Sequence, residues 1–437
     1  MKCVKIMPSS LKGEILVPPS KSISHRMLIC AGLCNGKSIL KNIAFSEDIT
    51  ATIKGIEELG AKVEYLAHPI DRKTNNIAVI GNNRPLIREG AVIECGESAS
   101  TLRFLIPLVS LTGREVTFTG EDKLTQRPLD VYLEIFDKQG IIYRVPNNNN
   151  NLPLTFCGSL NPGEYHVRGD ISSQFISGLM FALPLLKGNS RIIITTPLES
   201  RGYIDLTIDT LKKFSIAVEN RDYKEFFIKG DQCYKAANCC VEGDFSQAAF
   251  WLAAGALGAE IRCMNINTTS LQGDRFILDI ISEMGGNLVY GRDFVRAEGG
   301  SLLRGITIDA SSCPDLVPAA AVLGALSCET TKIVNAKRLR IKESDRLAAI
   351  SIGLNKLGAK ISELPDGLII VGQETLKGGV VDSRDDHRIA MAFAIASIRC
   401  REPVIIKNSE AVNKSYPEFW NDFAKVGGVI NELNDWK

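Results

Sequence analysis

Helix-patterned stretches of apolar and polar residues recur along this chain, and they repeatedly end in a small-residue turn that leads into a strand. The turns read Leu59-Gly60-Ala61-Lys62-Val63, Gln139-Gly140-Ile141-Ile142, Met284-Gly285-Gly286-Asn287-Leu288, Leu357-Gly358-Ala359-Lys360-Ile361 and Val426-Gly427-Gly428-Val429-Ile430. A sixth copy, Phe214-Ser215-Ile216-Ala217-Val218, lacks the glycine. A glycine suits the position just past a helix, where φ is positive. The markers at residues 60, 140, 215, 285, 358 and 427 are separated by 80, 75, 70, 73 and 69 residues. Such even spacing predicts a duplicated architecture, two halves of three modules each. Within a module the pattern reads strand, helix, strand, helix, then strands. In the first module the helices fall at 22–34 and 48–59, with a strand at 62–65.

Composition adds limits. A length of 437 residues exceeds what one core usually supports, so two domains are expected. Lys and Arg total 51 against 50 Asp and Glu, which leaves no bulk attraction to nucleic acid or membrane. Any anion site must therefore be built locally. Residues 1–16 lack the apolar core of a signal peptide, and the apolar run 316–328 is shorter than the roughly 20 residues a bilayer needs. A cytoplasmic protein is expected. The 12 cysteines form no Cys-x-x-Cys pair, and His25, His68, His166 and His387 show no ligand spacing. That argues for reduced, mostly buried thiols and against a zinc site. The asparagine run 147–151 reads as a polar surface loop.

The most telling chemistry lies at Pro18-Pro19-Ser20-Lys21-Ser22-Ile23-Ser24-His25-Arg26. A short strand at 15–17 runs through a turn into a helix start, where free N–H groups favour anions. An ammonium, a guanidinium and hydroxyls there suit a phosphate or carboxylate; the same segment also reads as an ordinary capped helix with a basic face. By contrast, Ala31-Gly32-Leu33-Cys34-Asn35-Gly36-Lys37-Ser38 fits the loose P-loop pattern but follows a helix and precedes a strand, the reverse of what a nucleotide loop needs.

Further blocks share this style. Gly96-Glu97-Ser98-Ala99-Ser100-Thr101-Leu102-Arg103 opens a helix, and Thr125-Gln126-Arg127-Pro128 precedes another. Asp170-Ile171-Ser172-Ser173-Gln174 opens an apolar helix at 175–186. Cys313-Pro314-Asp315, Lys342-Glu343-Ser344-Asp345-Arg346, Asp386-His387-Arg388, and Lys414 before Tyr416-Pro417 follow. In order and spacing, over essentially the whole chain, these blocks resemble the 5-enolpyruvylshikimate-3-phosphate (EPSP) synthases.

The resemblance implies an α/β fold of two similar globular halves, each of three βαβαββ units, with the active site in the cleft between them. It assigns 18–241 to one half, on the shikimate 3-phosphate side. Residues 1–17 with 242–437 form the other, which contributes acid/base and phosphoenolpyruvate-binding groups. It implies transfer of the enolpyruvyl group of phosphoenolpyruvate to the 5-hydroxyl of shikimate 3-phosphate, in the shikimate pathway, by a monomer that needs no metal or organic cofactor. By similarity, Lys21, Ala99, Arg127, Gln174, Arg346, Arg388 and Lys414 surround phosphoenolpyruvate. Lys21, Ser22, Arg26, Ser172, Ser173, Gln174, Asp315 and Lys342 hold shikimate 3-phosphate, with Ser200 or Arg201 and Tyr203 nearby. Substrates that each carry a phosphate and a carboxylate require fixed cations, and arginine's planar fork suits both anionic groups.

Addition followed by elimination needs a base near the hydroxyl and an acid near C3. Asp315 and Glu343 are the candidates, with Lys21 helping to move protons. Asp315 also reads as a plain N-cap before the Ala-rich helix 316–326, and Glu343 as an ion-pair partner of Lys342 or Arg346. Arg103 divides between a structural and a functional role. Two residues depart from the family. Ala99 stands where glyphosate-sensitive members have a glycine that leaves room for the inhibitor, so reduced sensitivity is expected. Arg338 stands where many have an asparagine near the shikimate phosphate. The rivals are the related transferase acting on UDP-N-acetylglucosamine and a non-catalytic anion-binding protein. The former usually carries a loop cysteine shortly before its Arg-Pro pair, and residues 121–126 contain none.

Overall fold

The computed structural model describes residues 2–66, 75–146, 150–299 and 302–434. Most of the asparagine run, and His68, lie outside these. By internal contacts the chain divides into two compact halves, Pro19–Val241 and Met1–Pro18 with Glu242–Lys437. Each has its own apolar core.

Among the described residues there are six sheets of four strands, all paired alike. In the module at Glu164–Val167, Ser190–Ile194, Glu219–Arg221 and Glu225–Ile228, the first strand runs parallel to the second. The second pairs antiparallel with the fourth, and the fourth with the third. The parallel pair requires a crossover, which a helix supplies. Three modules complete this pattern with strands borrowed from elsewhere in the chain. Cys239–Cys240 closes the sheet that starts Pro19–Val241, beside Asn35–Lys41. Lys12–Leu16 pairs with Glu260–Met264, and Lys2–Met7 lies between Val404–Lys407 and Val429–Asn434.

Each module has two helices. In the first half these are α1 (Lys21–Gly32), α2 (Glu47–Glu58), α3 (Ala99–Val109), α4 (Asp130–Gln139), α5 (Ser173–Ala182) and α6 (Arg201–Lys213). In the second they are α7 (Phe245–Ala256), α8 (Ile277–Glu283), α9 (Val317–Ala325), α10 (Arg346–Lys356), α11 (His387–Ala396) and α12 (Phe419–Lys425). The two helices of a module differ in kind. Every residue of α7, α9 and α11 is buried, because sequences such as Val-Pro-Ala-Ala-Ala-Val-Leu-Gly-Ala are apolar all round. The second helices bury one stripe only, as α4 does with Val131, Tyr132, Ile135 and Phe136.

The six turn markers all take positive φ: Gly60 91°, Gly140 71°, Gly285 87°, Gly358 98°, Gly427 100° and Ser215 65°. The serine copy therefore keeps the left-handed geometry that glycine adopts without a Cβ clash. Helix bounds agree with the sequence reading to within two residues in the first module, and Lys62–Tyr65 is a strand. The predicted strand at 15–17 is Lys12–Leu16. The predicted helix 175–186 stops at Ala182 and passes into a 3₁₀ turn, Leu183–Leu185. Pro184 has no N–H to continue the α-helical ladder. The P-loop lookalike is the end of α1 followed by strand Asn35–Lys41. All 12 cysteines are free, seven of them buried and Cys233, Cys240 and Cys328 exposed. Among the described residues no helix is long and apolar enough to cross a membrane.

Candidate active site

Helix starts carry most of the predicted residues. In the half Pro19–Val241, Lys21 is the first residue of α1, behind the N-cap Ser20 whose hydroxyl accepts from the Ile23 N–H. Lys21 Nζ donates to Asp48 Oδ2 at 2.7 Å, and both side chains are about 15% exposed. Arg26 is turned inward. Its Nε donates to Thr207 Oγ1 at 2.8 Å, Nη1 to the Ser22 carbonyl at 2.7 Å and Nη2 to the Tyr203 carbonyl at 3.1 Å. Its guanidinium lies 5.2 Å from the Phe104 ring centre. Burial pushes Arg26 down to about 10, which still leaves it charged at neutral pH. It therefore ties α1 to α6 as well as standing beside Ser22.

The starts of α3 and α5 are laced together. Ser172 caps α5, its hydroxyl accepting from the Gln174 N–H, and Ser173 is buried as the first helical residue. Gln174 Nε2 donates to Ser100 Oγ at 2.8 Å, and its Oε1 accepts from Arg103 Nη1 at 2.9 Å. Arg103 also donates to the Pro128 carbonyl at 3.0 Å and lies 4.7 Å from the Phe175 ring centre. It orients Gln174. Ala99, the first residue of α3, is buried next to this lattice. Arg127 is mostly buried, with its carbonyl accepting from Asn151 Nδ2 at 2.9 Å. Ser200 is buried at φ 55° before α6, whereas Arg201 is exposed and its guanidinium lies 5.1 Å from the Tyr223 ring centre.

In the other half a single arginine organises the site. Arg346, the first residue of α10, is 1% exposed. Nε donates to Asp386 Oδ2 at 2.7 Å, Nη1 to Asp315 Oδ1 at 2.8 Å and Nη2 to Glu343 Oε2 at 2.6 Å. Burial works to lower its pKa, but Asp386, Glu343 and Asp315 raise it above the ordinary value. Asp315 receives a second guanidinium, Arg388 Nη2 at 3.0 Å, and Lys342 Nζ lies 3.6 Å away. Burial alone would raise the Asp315 pKa; Arg388, Lys342 and Arg346 instead hold it well below the usual carboxylate range. The lysine's own pKa is lowered, chiefly by burial.

Asp315 sits in the 3₁₀ turn Pro314–Leu316, and the N-cap position of α9 is Leu316. The Asp315 carboxylate meets three cations, Arg346, Arg388 and Lys342. Glu343 does pair with Arg346, one of the two partners the sequence offered. Asp386 caps α11 and also accepts from Ser344 Oγ at 3.1 Å. Arg388 Nη2 donates to Ser246 Oγ at 3.1 Å, near the start of α7. Lys414 Nζ donates to the Asp385 carbonyl at 2.8 Å and to its Oδ2 at 2.9 Å. Arg338 Nη2 donates to the Ser311 carbonyl at 2.8 Å.

Sequence reading emphasised cations; the structure supplies each lysine and arginine of the Asp315 cluster with a carboxylate. Asp48, Asp385 and Ser246 were missed. Each reads in sequence as an ordinary helix-start or turn residue, and only the fold brings it to Lys21, Lys414 or Arg388.

Comparison with known proteins agrees across the chain. The family model described as EPSP synthase (3-phosphoshikimate 1-carboxyvinyltransferase) matches residues 6–423. A Clostridium novyi protein named 3-phosphoshikimate 1-carboxyvinyltransferase is 58% identical over 434 residues, covering 99% of each chain. One of the same name from Clostridium acetobutylicum is 54% identical over 432 residues, again covering 99% of each. In fold, the chain is similar to an EPSP synthase structure from Acinetobacter baumannii, with TM-score 0.83 and 24% identity over 99% of this chain and 100% of that one. It is also similar to the enolpyruvyl transferase NikO from Streptomyces tendae, with TM-score 0.80 and 17% identity over 100% of this chain and 99% of that one.

Proposed function

The chain belongs to the EPSP synthase family, and from that premise we propose how its residues divide the work of the reaction. The enzyme transfers the enolpyruvyl (1-carboxyvinyl) group of phosphoenolpyruvate to the 5-hydroxyl of shikimate 3-phosphate and releases phosphate, a step of the shikimate pathway towards chorismate and the aromatic amino acids. Lys21, Ser22, Arg26, Ser172, Ser173, Gln174, Ser200, Tyr203, Asp315 and Lys342 bind shikimate 3-phosphate. Lys21, Arg127, Gln174, Arg346, Arg388 and Lys414 bind phosphoenolpyruvate. Arg201, stacked on Tyr223 at the surface, makes the smaller contribution.

In the addition step the 5-hydroxyl attacks C2 of phosphoenolpyruvate as its proton leaves, and C3 gains a proton to become a methyl group. In the elimination the methyl group loses a proton and the C2–O bond to phosphate breaks. Asp315 and Glu343 carry these protons, with Lys21 assisting. What supports this reading is that one guanidinium, that of Arg346, presents both carboxylates. Asp315 is ionised before substrate arrives and so is ready to accept a proton. Its depressed pKa makes it a weak base, which bound phosphoenolpyruvate remedies. The new negative charge shares Arg346 and Arg388, loosens their hold and raises Asp315 towards proton transfer.

The test is phosphate release from phosphoenolpyruvate with shikimate 3-phosphate, with UDP-N-acetylglucosamine or with no acceptor. Release with shikimate 3-phosphate alone is the expected result. Release with the sugar nucleotide alone would overturn the assignment, and binding of both anions without release would favour a non-catalytic protein.

Ala99 bears on inhibition. Ala99 opens α3 just before Ser100, whose hydroxyl accepts from the Gln174 amide, and its methyl group crowds glyphosate more than the smaller phosphoenolpyruvate. Ala99→Gly is expected to lower the glyphosate concentration for half-inhibition roughly 10-fold or more, within the range a single methylene commands in a fitted pocket. Equal inhibition of both forms would refute the crowding argument.

A further inference from the structure

The Asp48 carboxylate has no role in the reaction as assigned above, yet it is turned away from its own helix. It is the second residue of α2, where an acid is favoured by the helix dipole. However, the N-cap Ser46 makes no side-chain cap bond to α2. Asp48 Oδ2 instead accepts from Lys21 Nζ at 2.7 Å, with both groups mostly buried. Holding two partly desolvated charges together costs solvation that an exposed acid would keep. A helix that needed only an N-terminal acid would be served by a carboxylate in water.

The backbone beneath Asp48 is also fixed. Its carbonyl lies 3.4 Å from both Thr52 Oγ1 and Thr101 Oγ1, so at most one of the two hydroxyl protons is donated to it. Those hydroxyls belong to a buried chain running from His25 Nδ1 to Thr52 Oγ1 at 2.7 Å, on to Thr101 Oγ1 at 2.6 Å, and on to Ser98 Oγ at 2.7 Å. His25 stands on α1 one turn after Lys21, and Ser98 caps α3 immediately before Ala99. Burial, with Lys21 and Arg26 nearby, holds the His25 pKa well below its ordinary value, so the imidazole is neutral and can exchange hydrogen bonds with a hydroxyl. The starts of α1, α2 and α3 are thus locked by one polar network, and Asp48 is the member that reaches a substrate-binding side chain.

We propose that Asp48 is a positioning residue for the reaction: it holds the Lys21 ammonium in the geometry that receives phosphoenolpyruvate, with the hydroxyl chain fixing the turn that carries it. This rests on the assignment of Lys21 to substrate binding. Lysine's four-carbon stem has many rotamers, so a fixed carboxylate removes freedom that would otherwise be lost on binding.

The test compares Asp48→Asn, Asp48→Glu, Lys21→Gln and the Asp48→Asn/Lys21→Gln double variant by phosphate release, with thermal unfolding alongside. Asp48→Asn is expected to lower kcat/KM for phosphoenolpyruvate roughly 10- to 100-fold, as misplaced binding groups do. The KM for phosphoenolpyruvate should change more than that for shikimate 3-phosphate, and Asp48→Glu should recover part of the loss. In the Lys21→Gln background Asp48→Asn should cost nothing further, because its effect passes through the lysine. Normal kinetics for Asp48→Asn with a crippled Lys21→Gln enzyme would overturn the proposal, as would losses that simply add. A fully active Lys21→Gln enzyme would instead sink the assignment of Lys21 itself. Should Asp48→Asn fold poorly, Asp48→Glu carries the same comparison.

Discussion

Replacing Arg346 by methionine is expected to destabilise the protein by about 3–5 kcal/mol and to abolish phosphate release. The side chain is 1% exposed and its donors are taken by Asp315, Glu343 and Asp386. Methionine fills much of the volume but leaves three carboxylates, one of them wholly buried, around an apolar side chain. Each must then be protonated or left as an uncompensated charge. Urea unfolding followed by tryptophan fluorescence, run beside the activity assay, measures both effects. Arg346→Lys separates charge from shape. A lysine restores one positive charge but cannot span three carboxylates as a planar fork does. It is expected to recover part of the stability and little of the activity. Unfolding at wild-type urea concentrations in the methionine variant would show that the Arg346 cluster does not stabilise the fold.

Asp315→Asn carries the second large effect, a fall in kcat of roughly 10²–10⁴. The amide keeps the shape of the carboxylate and can still accept from one guanidinium, but it cannot take up and return a proton. The same variant should change the acid stability profile. Arg388, Lys342 and Arg346 hold the native Asp315 pKa well below the usual range, against the upward pull of burial. The stabilisation this represents is present above the unfolded value, about 3.9. It is lost as pH falls through that value towards the depressed native one. Thermal midpoints of the wild type should therefore drop more steeply below about pH 4 than those of Asp315→Asn, which lacks the titrating group. Parallel slopes for the two proteins would contradict the electrostatic account, and wild-type turnover in the variant would remove Asp315 from the chemistry.

Both predictions concern a cluster that was only partly legible in sequence. Asp315, Glu343 and Arg346 were visible as candidates because their blocks match those of the EPSP synthases in order and spacing. Their mutual arrangement was not visible. Asp315 and Arg346 are 31 positions apart, and Arg388 lies 73 positions from Asp315. Nothing local distinguishes a carboxylate that caps a helix from one that receives two guanidiniums. Asp386 caps α11 and receives one guanidinium, that of Arg346, whereas Asp315 receives two, from Arg346 and Arg388. Arg103 illustrates the same limit. Its place on α3 left its role open, and contact with Gln174, 71 residues away, gave it one.

What the sequence determined by itself was the modular plan. The turn after each second helix needs a residue that tolerates positive φ, and glycine at five of six such turns makes that need readable, with Ser215 holding the same geometry at the sixth. All-apolar helices such as α9 announce their burial, because a helix with no polar face has nowhere else to go. Local rules of this kind depend on neighbours in the chain. Only the tertiary structure decided which strands completed the sheets, as with Lys2–Met7 joining the last module. It also decided which carboxylate answered each cation: Asp48 for Lys21, Asp385 for Lys414, and three acids for Arg346. Those choices belong to the packing of helix starts from distant segments, where charges meet through space and burial, not sequence separation, sets how strongly they interact.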